Sequence, residues 1–199
     1  MKSYQFIKVS LILLTLTTST WVASQTEIDN TRAYQVDIFN FDHQLIPDSE
    51  NYQQQWRRLT GFEHSGLHWE QFVVIYTNHG ERTYRNNFLE FSAWFDDPED
   101  EDNQPEYFTY PVGTIFIKEN YQMLNGKPAA PKSITVMVKH PQGYDAEGGN
   151  WEYMQFSVNG QQMLKGSREN KTVKQQCAGC HQNVADRDFI FSNFYSGTN

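Results

Sequence analysis

Ile134-Thr135-Val136-Met137-Val138-Lys139 puts Ile134, Val136 and Val138 on one side of an extended chain and the intervening residues on the other. A period of two marks a strand, because successive side chains of an extended backbone point to opposite faces. Thr114-Ile115-Phe116-Ile117-Lys118 repeats the pattern upstream. Phe72-Val73-Val74-Ile75-Tyr76 is a denser run of β-branched and aromatic residues and predicts a buried strand. Phe88 to Phe95 and Trp151 to Val158 are expected to add two more. Between these runs lie turn formers: Asn78-His79-Gly80, Pro111-Val112-Gly113, Asn125 to Lys132 with Gly126, Pro128 and Pro131, and the glycine-rich Gly143 to Asn150. Short connections without a long helix imply antiparallel pairing. The expected fold class is α+β, mostly antiparallel β-sheet with a few short helices.

The helices are expected at the two ends. Asp48 or Ser49 suits an N-cap, Tyr52, Trp56 and Leu59 recur at helical spacing, and Gly61 suits the stop. Glu169 to Gln176 reads as a helix. Asp186-Arg187-Asp188 reads as the start of another, with Ile190, Phe191, Phe194 and Tyr195 on one side. The acidic stretch from Asp96 to Glu106 lacks the ligand spacing of a calcium loop and reads as a solvated connection.

The helix over Glu169–Gln176 would deliver Cys177-Ala178-Gly179-Cys180-His181, which reads C-x-x-C-H, the attachment signature of a c-type haem. Each thiol can add across one vinyl group of a porphyrin to form a thioether. The two-residue spacing lets both sulfurs reach the same ring, and the adjacent imidazole then lies under the iron as its axial base. Cys177, Cys180 and His181 are thus the cofactor-binding candidates, with His181 the metal ligand, for one covalent haem c. These are the only two cysteines of the chain. A redox disulfide would sit in a βαβ context that is absent here, zinc would lack a fourth ligand, and a structural disulfide would close too small a loop to stabilise much.

The N-terminus agrees with covalent haem attachment outside the cytoplasm. Lys2 and Lys8 precede a short apolar run, Val9 to Leu16, and Val22-Ala23-Ser24 suits signal peptidase. Residues 1–24 are expected to be a signal peptide and 25–199 a single haem-binding domain, exported to the periplasm. The apolar run is too short to span a bilayer, so the mature form is expected to have no membrane span. The formal charge of −8 includes both signal-peptide lysines, so the mature chain is more acidic still. This disfavours nucleic acid as a partner and favours a basic redox partner protein. The 15% aromatic content suits a porphyrin pocket or an aromatic β core.

Several short motifs in order resemble the cytochrome P-460 family, which includes the cytochromes c′-beta. They are Val112 to Glu119 (VGTIFIKE), Met137-Val138-Lys139, Gly149-Asn150-Trp151, the C-x-x-C-H pentapeptide, and Asp188 to Tyr195 (DFIFSNFY). The resemblance runs over roughly residues 45–195. It implies a mostly antiparallel β fold, a homodimer, and a high-spin, usually five-coordinate haem. It also implies either oxidation of hydroxylamine or binding of nitric oxide and related small nitrogen species. The hydroxylamine oxidases of the family carry a crosslink from a lysine to the porphyrin rim, a few residues before the Gly-Thr turn. Here the stretch from Asp96 to Val112 has no lysine, and Pro105 and Glu106 stand near the expected place. That disfavours the oxidase, and the absence of any clear sixth-ligand motif disfavours simple electron transfer, which leaves nitric oxide binding at an open iron as the favoured role. Lys118 and Lys139 are the alternative amines.

No motif selects a sixth iron ligand among His43, His64, His68, His79, His140, Met123, Met137, Met154 and Met163. Phe88, Phe91, Trp94, Phe116, Tyr153 and Phe156 are candidate pocket walls. Glu152, which opens a strand beside Gly149-Asn150-Trp151, is the candidate catalytic base, against the alternative of a carboxylate facing solvent.

Overall fold

A computed structural model describes residue 39 and residues 43–197, apart from 69 and 101. The expected signal peptide and the apolar residues Val36, Ile38 and Phe41 lie outside that range.

Among the described residues, seven antiparallel strands form one sheet: β1 (Arg57–Arg58), β2 (Glu63–Ser65), β3 (Gln71–Thr77), β4 (Ile115–Leu124), β5 (Lys127–Lys139), β6 (Trp151–Ser157) and β7 (Gln162–Gly166). The order is β1-β3-β4-β5-β6-β7, with β2 pairing the other half of β3. The helices are α1 (Tyr52–Gln55), α2 (Glu81–Asp96), α3 (Lys171–Val173) and α4 (Gly179–His181), supplemented by short 3₁₀ turns. The α+β class and the antiparallel sheet agree with the sequence pattern.

Register decides which side chains share a face, because residues directly opposite in a ladder project together. Tyr76, Ile117, Val136 and Met154 form one row, and Val74, Glu119, Ile134 and Phe156 the next. Phe39, Ile46 and Tyr52 cover this face and complete the first core. The opposite face carries the rows Phe116-Met137-Tyr153 and Ile75-Lys118-Thr135-Gln155. It is covered by α2 through Tyr84 and by the C-terminal segment through Val173, Ala178, Phe189 and Ile190.

Four local expectations fail, each for a physical reason. Phe88 to Phe95 is part of α2 and not a strand. Tyr84, Asn87/Phe88 and Phe91 recur at three to four residues, and that helical face continues past any window read from Phe88 alone. The helix begins where Gly80 N–H donates to Thr77 Oγ1 at 3.0 Å, and the buried Asn87 side chain holds both backbone polar groups of Phe108. The segment Asn125 to Lys132 is not a loop: only Asn125-Gly126, both at positive φ, turn the chain. Pro128 and Pro131 lie within β5, opposite the irregular stretch of β4, where the missing N–H is tolerated. The N-terminal helix is one turn long and ends before Trp56, whose extended ψ of 158° sends Arg57–Arg58 into the sheet. Its N-cap is Asn51, neither Asp48 nor Ser49. Finally, Asp186 to Asp188 ends a 3₁₀ turn and does not start a helix; Asp188 and Phe189 are both left-handed, and no helix comes after them among the described residues.

That last segment runs as an irregular strap across the second face. Tyr84 Oη donates to the carbonyl of Phe194 at 2.9 Å, Arg187 bonds Asn193, and Ser196 N–H reaches the carbonyl of Leu59.

Candidate functional site

The cavity lies between the second face of the sheet and the C-terminal segment, with a volume of about 560 Å³. That is within the roughly 300–1,000 Å³ of typical cofactor pockets. Val73, Ile75, Phe116, Met137 and Tyr153 supply its apolar sheet wall, and Phe191 and Phe194 stand on the strap side. Cys177, Cys180 and His181 all line it.

Local backbone geometry brings these three together. Asn170 caps α3, accepting from the N–H groups of Thr172 and Val173. The helical run then passes through a π turn, Lys174–Ala178, into α4. A π turn inserts one extra residue and so rotates the helix beyond it, which is why such turns recur at functional sites. Gly179 is required by it: a Cβ there would stand 2.7 Å from the carbonyl oxygen of Lys174. The expected helix over Glu169–Gln176 therefore exists, begins slightly later and carries both cysteines. Both thiols are free, Cys177 partly buried and Cys180 exposed. Burial raises the Cys177 pKa, partly offset by the Lys118 ammonium.

His181 is oriented by the strap. Its Nδ1 lies 2.7 Å from the carbonyl oxygen of Phe189, which can only accept, so the proton sits on Nδ1. Nε2 therefore keeps its lone pair. Tyr153 and Phe191 pack edge-on against the ring at 5.5 and 5.3 Å. Burial pushes the imidazole pKa down to about 4; the Phe189 hydrogen bond opposes this and the Lys118 charge adds to it. A neutral, fixed imidazole is the form that ligates a metal. The buried hydroxyl of Tyr153 has no hydrogen-bond partner among the described residues.

The opposite wall carries a hydrogen-bonded chain of polar side chains. Lys118 Nζ lies 2.8 Å from His68 Nε2, and His68 Nδ1 lies 2.6 Å from Ser65 Oγ. The ammonium donates, so His68 is neutral with its proton on Nδ1, directed to Ser65. Burial holds Lys118 down to about 8 and His68 down to about 3, the latter assisted by Lys118 and His181. For His68 a depressed folded pKa means that the unfolded chain binds the proton more readily. Its contribution to stability is full above about 6.5 and is lost as pH falls toward about 3. Denaturant titrations between pH 7.5 and 4 should show stability falling, and His68→Gln should flatten that slope. An unchanged slope would mean that His68 is already charged in the folded protein.

Of the sixth-ligand candidates, His64, His68 and Met137 line the cavity; Met154 borders it as well, but its side chain belongs to the first-face row and is buried in the first core. His140 instead stacks on Tyr144 and bonds Glu152, and Met163 is exposed. The His43 side chain lies outside what the structure describes. Among the wall candidates Phe116 and Tyr153 line the cavity. Phe88, Phe91 and Trp94 belong to α2 and do not, and Phe156 is buried in the first core. Glu152 pairs with Val138 in the first-face row, with its carboxylate 3.1 Å from His140 Nε2 and 3.8 Å from Lys165. It is not among the residues lining the cavity. Lys139 is engaged with Asp188, whereas Lys118 reaches the cavity. Ser65 and the Phe189 carbonyl escaped sequence reading, since neither carries a local signal.

The family model of Cytochrome P460 matches residues 66–192, well over half of the chain. The chain belongs to the cytochrome P460 family. As a cytochrome P460 it is a haem-binding protein, with haem and its iron the cofactor the family implies. The donor set fits: two thiols and one neutral imidazole on one wall of an apolar cavity. No curated protein matches the chain. Among the described residues no helix is long and apolar enough to cross a membrane.

Proposed function

We propose that this protein is an exported monohaem c-type cytochrome that binds nitric oxide or a related small nitrogen species at an open haem iron. The observation that carries the reading is the convergence of Cys177, Cys180 and the Nδ1-protonated His181 on one apolar cavity. Cys177 and Cys180 would hold the porphyrin edge as thioethers. His181 would present Nε2 to the iron. The sheet wall of Phe116, Met137 and Tyr153 would exclude water from the ring face. When bound, the haem supplies an iron with a coordination position for a small ligand. A homodimer, and a basic electron-transfer partner suited to the acidic chain, belong to the same proposal.

Optical spectra of the purified ferric and ferrous protein, with and without nitric oxide, test this. A high-spin ferrous spectrum of ordinary c-type position that changes on adding nitric oxide is expected. A low-spin spectrum indifferent to nitric oxide would favour a simple electron carrier.

One observation favours hydroxylamine oxidation as a second reading. The window before Gly113 has no lysine, but the Lys118 amine faces the cavity. A crosslink from it to the porphyrin rim would give a strongly red-shifted ferrous Soret band that Lys118→Gln abolishes, together with hydroxylamine turnover. On the first reading the band is ordinary and Lys118→Gln leaves its position unchanged.

A further inference from the structure

The second core contains an ion pair that haem attachment does not require. Lys139 ends β5 with its ammonium buried. It donates to both carboxylate oxygens of Asp188, at 2.6 and 2.7 Å, and to the carbonyl of Gly149 at 2.7 Å. It also stands 4.9 Å from the centroid of the Trp151 ring. Asp188 is equally committed: its Oδ2 accepts from Tyr110 N–H and its carbonyl from the Trp151 indole N–H, both at 2.8 Å. Desolvation offsets most of the attraction in a buried pair, so its energy alone does not explain it.

Its position in the backbone does. Asp188 (φ 52°, ψ 41°) and Phe189 (φ 66°) are consecutive left-handed residues. Aspartate tolerates that region, but phenylalanine does not readily enter it. Such strain persists only where the surroundings over-determine it, and it gathers at functional sites. Here the double left-handed turn points the Phe189 carbonyl back at His181 Nδ1. Gly149 leaves room for it, since a Cβ at that position would collide with the Phe189 ring.

We infer that the Lys139–Asp188 pair is the positioning device of the axial histidine. It holds the turn that aims the Phe189 carbonyl at His181, and thereby sets the orientation and electron-donating strength of the imidazole toward the iron. A carbonyl acceptor on the far nitrogen raises the basicity of a metal-bound imidazole, and axial-ligand strength tunes the iron's potential. This rests on the reading of His181 as axial ligand.

The test uses the mature haem-loaded protein. Asp188→Asn keeps a side chain tolerant of the left-handed region and an acceptor for Tyr110 N–H. The double variant Lys139→Met/Asp188→Asn leaves no unpaired buried charge. Resonance Raman of the ferrous state reads the iron–imidazole stretch, and a redox titration reads the midpoint potential. The stretch should move to lower frequency and the potential upward in both variants. Should neither accumulate, Lys139→Arg, which keeps the charge but not the ammonium geometry, should show the same directions with smaller shifts. Wild-type frequency and potential in the haem-loaded variants, whatever their thermal stability, would reduce the pair to a structural staple and overturn the inference. If the wild-type protein shows no iron–imidazole mode that His181→Ala removes, the ligation reading itself fails, which is a separate result.

Discussion

Haem should stay with the native polypeptide on a denaturing gel and be lost completely when Cys177 and Cys180 are both replaced by alanine. Two thioethers survive denaturation, whereas axial coordination and packing do not, so the gel isolates the covalent contribution. The geometry makes the expectation specific. The π turn Lys174–Ala178 and α4 place both sulfurs on the wall of one cavity, and no disulfide competes for them. Each single variant should retain one thioether and therefore some haem staining. The intact mass of the native protein should equal a chain starting near Gln25 plus one haem. Haem running free of the native chain would refute covalent attachment. A haem-loaded chain that still carries residues 1–24 would refute export and cleavage.

Replacing His181 by alanine should strongly reduce the yield of haem-loaded protein, and the fraction that loads should lose the high-spin, histidine-ligated spectrum. Three contributions disappear together: the Nε2 donor, the hydrogen bond to Phe189, and the ring that Tyr153 and Phe191 pack against. Loss of the ring's packing against Tyr153 and Phe191 is itself destabilising, through the contacts removed and the space left. Added imidazole should restore the ligand-dependent part of the spectrum but not the lost packing, which separates the two effects. A normal spectrum and normal nitric oxide binding in His181→Ala would assign ligation to another residue. His68 and His64 are the histidines facing the same cavity that could take that place.

The two faces of the sheet divide what was legible beforehand from what was not. Strands built on the runs from Phe72, Thr114, Ile134 and Trp151 were readable because burial on a pleated surface imposes a period of two. Phe88 to Phe95 was misread because a short apolar run has no period of its own; the helix is evident only when Tyr84 is counted with it. Strand β7, Gln162–Gly166, escaped notice because only Leu164 in it is buried.

The site divides in the same way. The C-x-x-C-H pentapeptide is a local signal: two thiols and an imidazole stand within five consecutive residues, so the sequence by itself was enough to propose those three positions as the haem-attachment site. Sequence also determined the sheet class, through alternation. Which carboxylate or amine meets the cavity depends on strand register, and a shift of one residue moves a whole strand's side chains to the other face. Register thus put Glu152 beside His140 and away from the cavity, and Lys118 into it. The acceptor that fixes the His181 tautomer is a backbone carbonyl eight residues away, brought there by two left-handed residues and a lysine forty-nine positions before Asp188. No side-chain pattern encodes a carbonyl's direction; it arises from packing across the whole chain, and only the tertiary structure decided it.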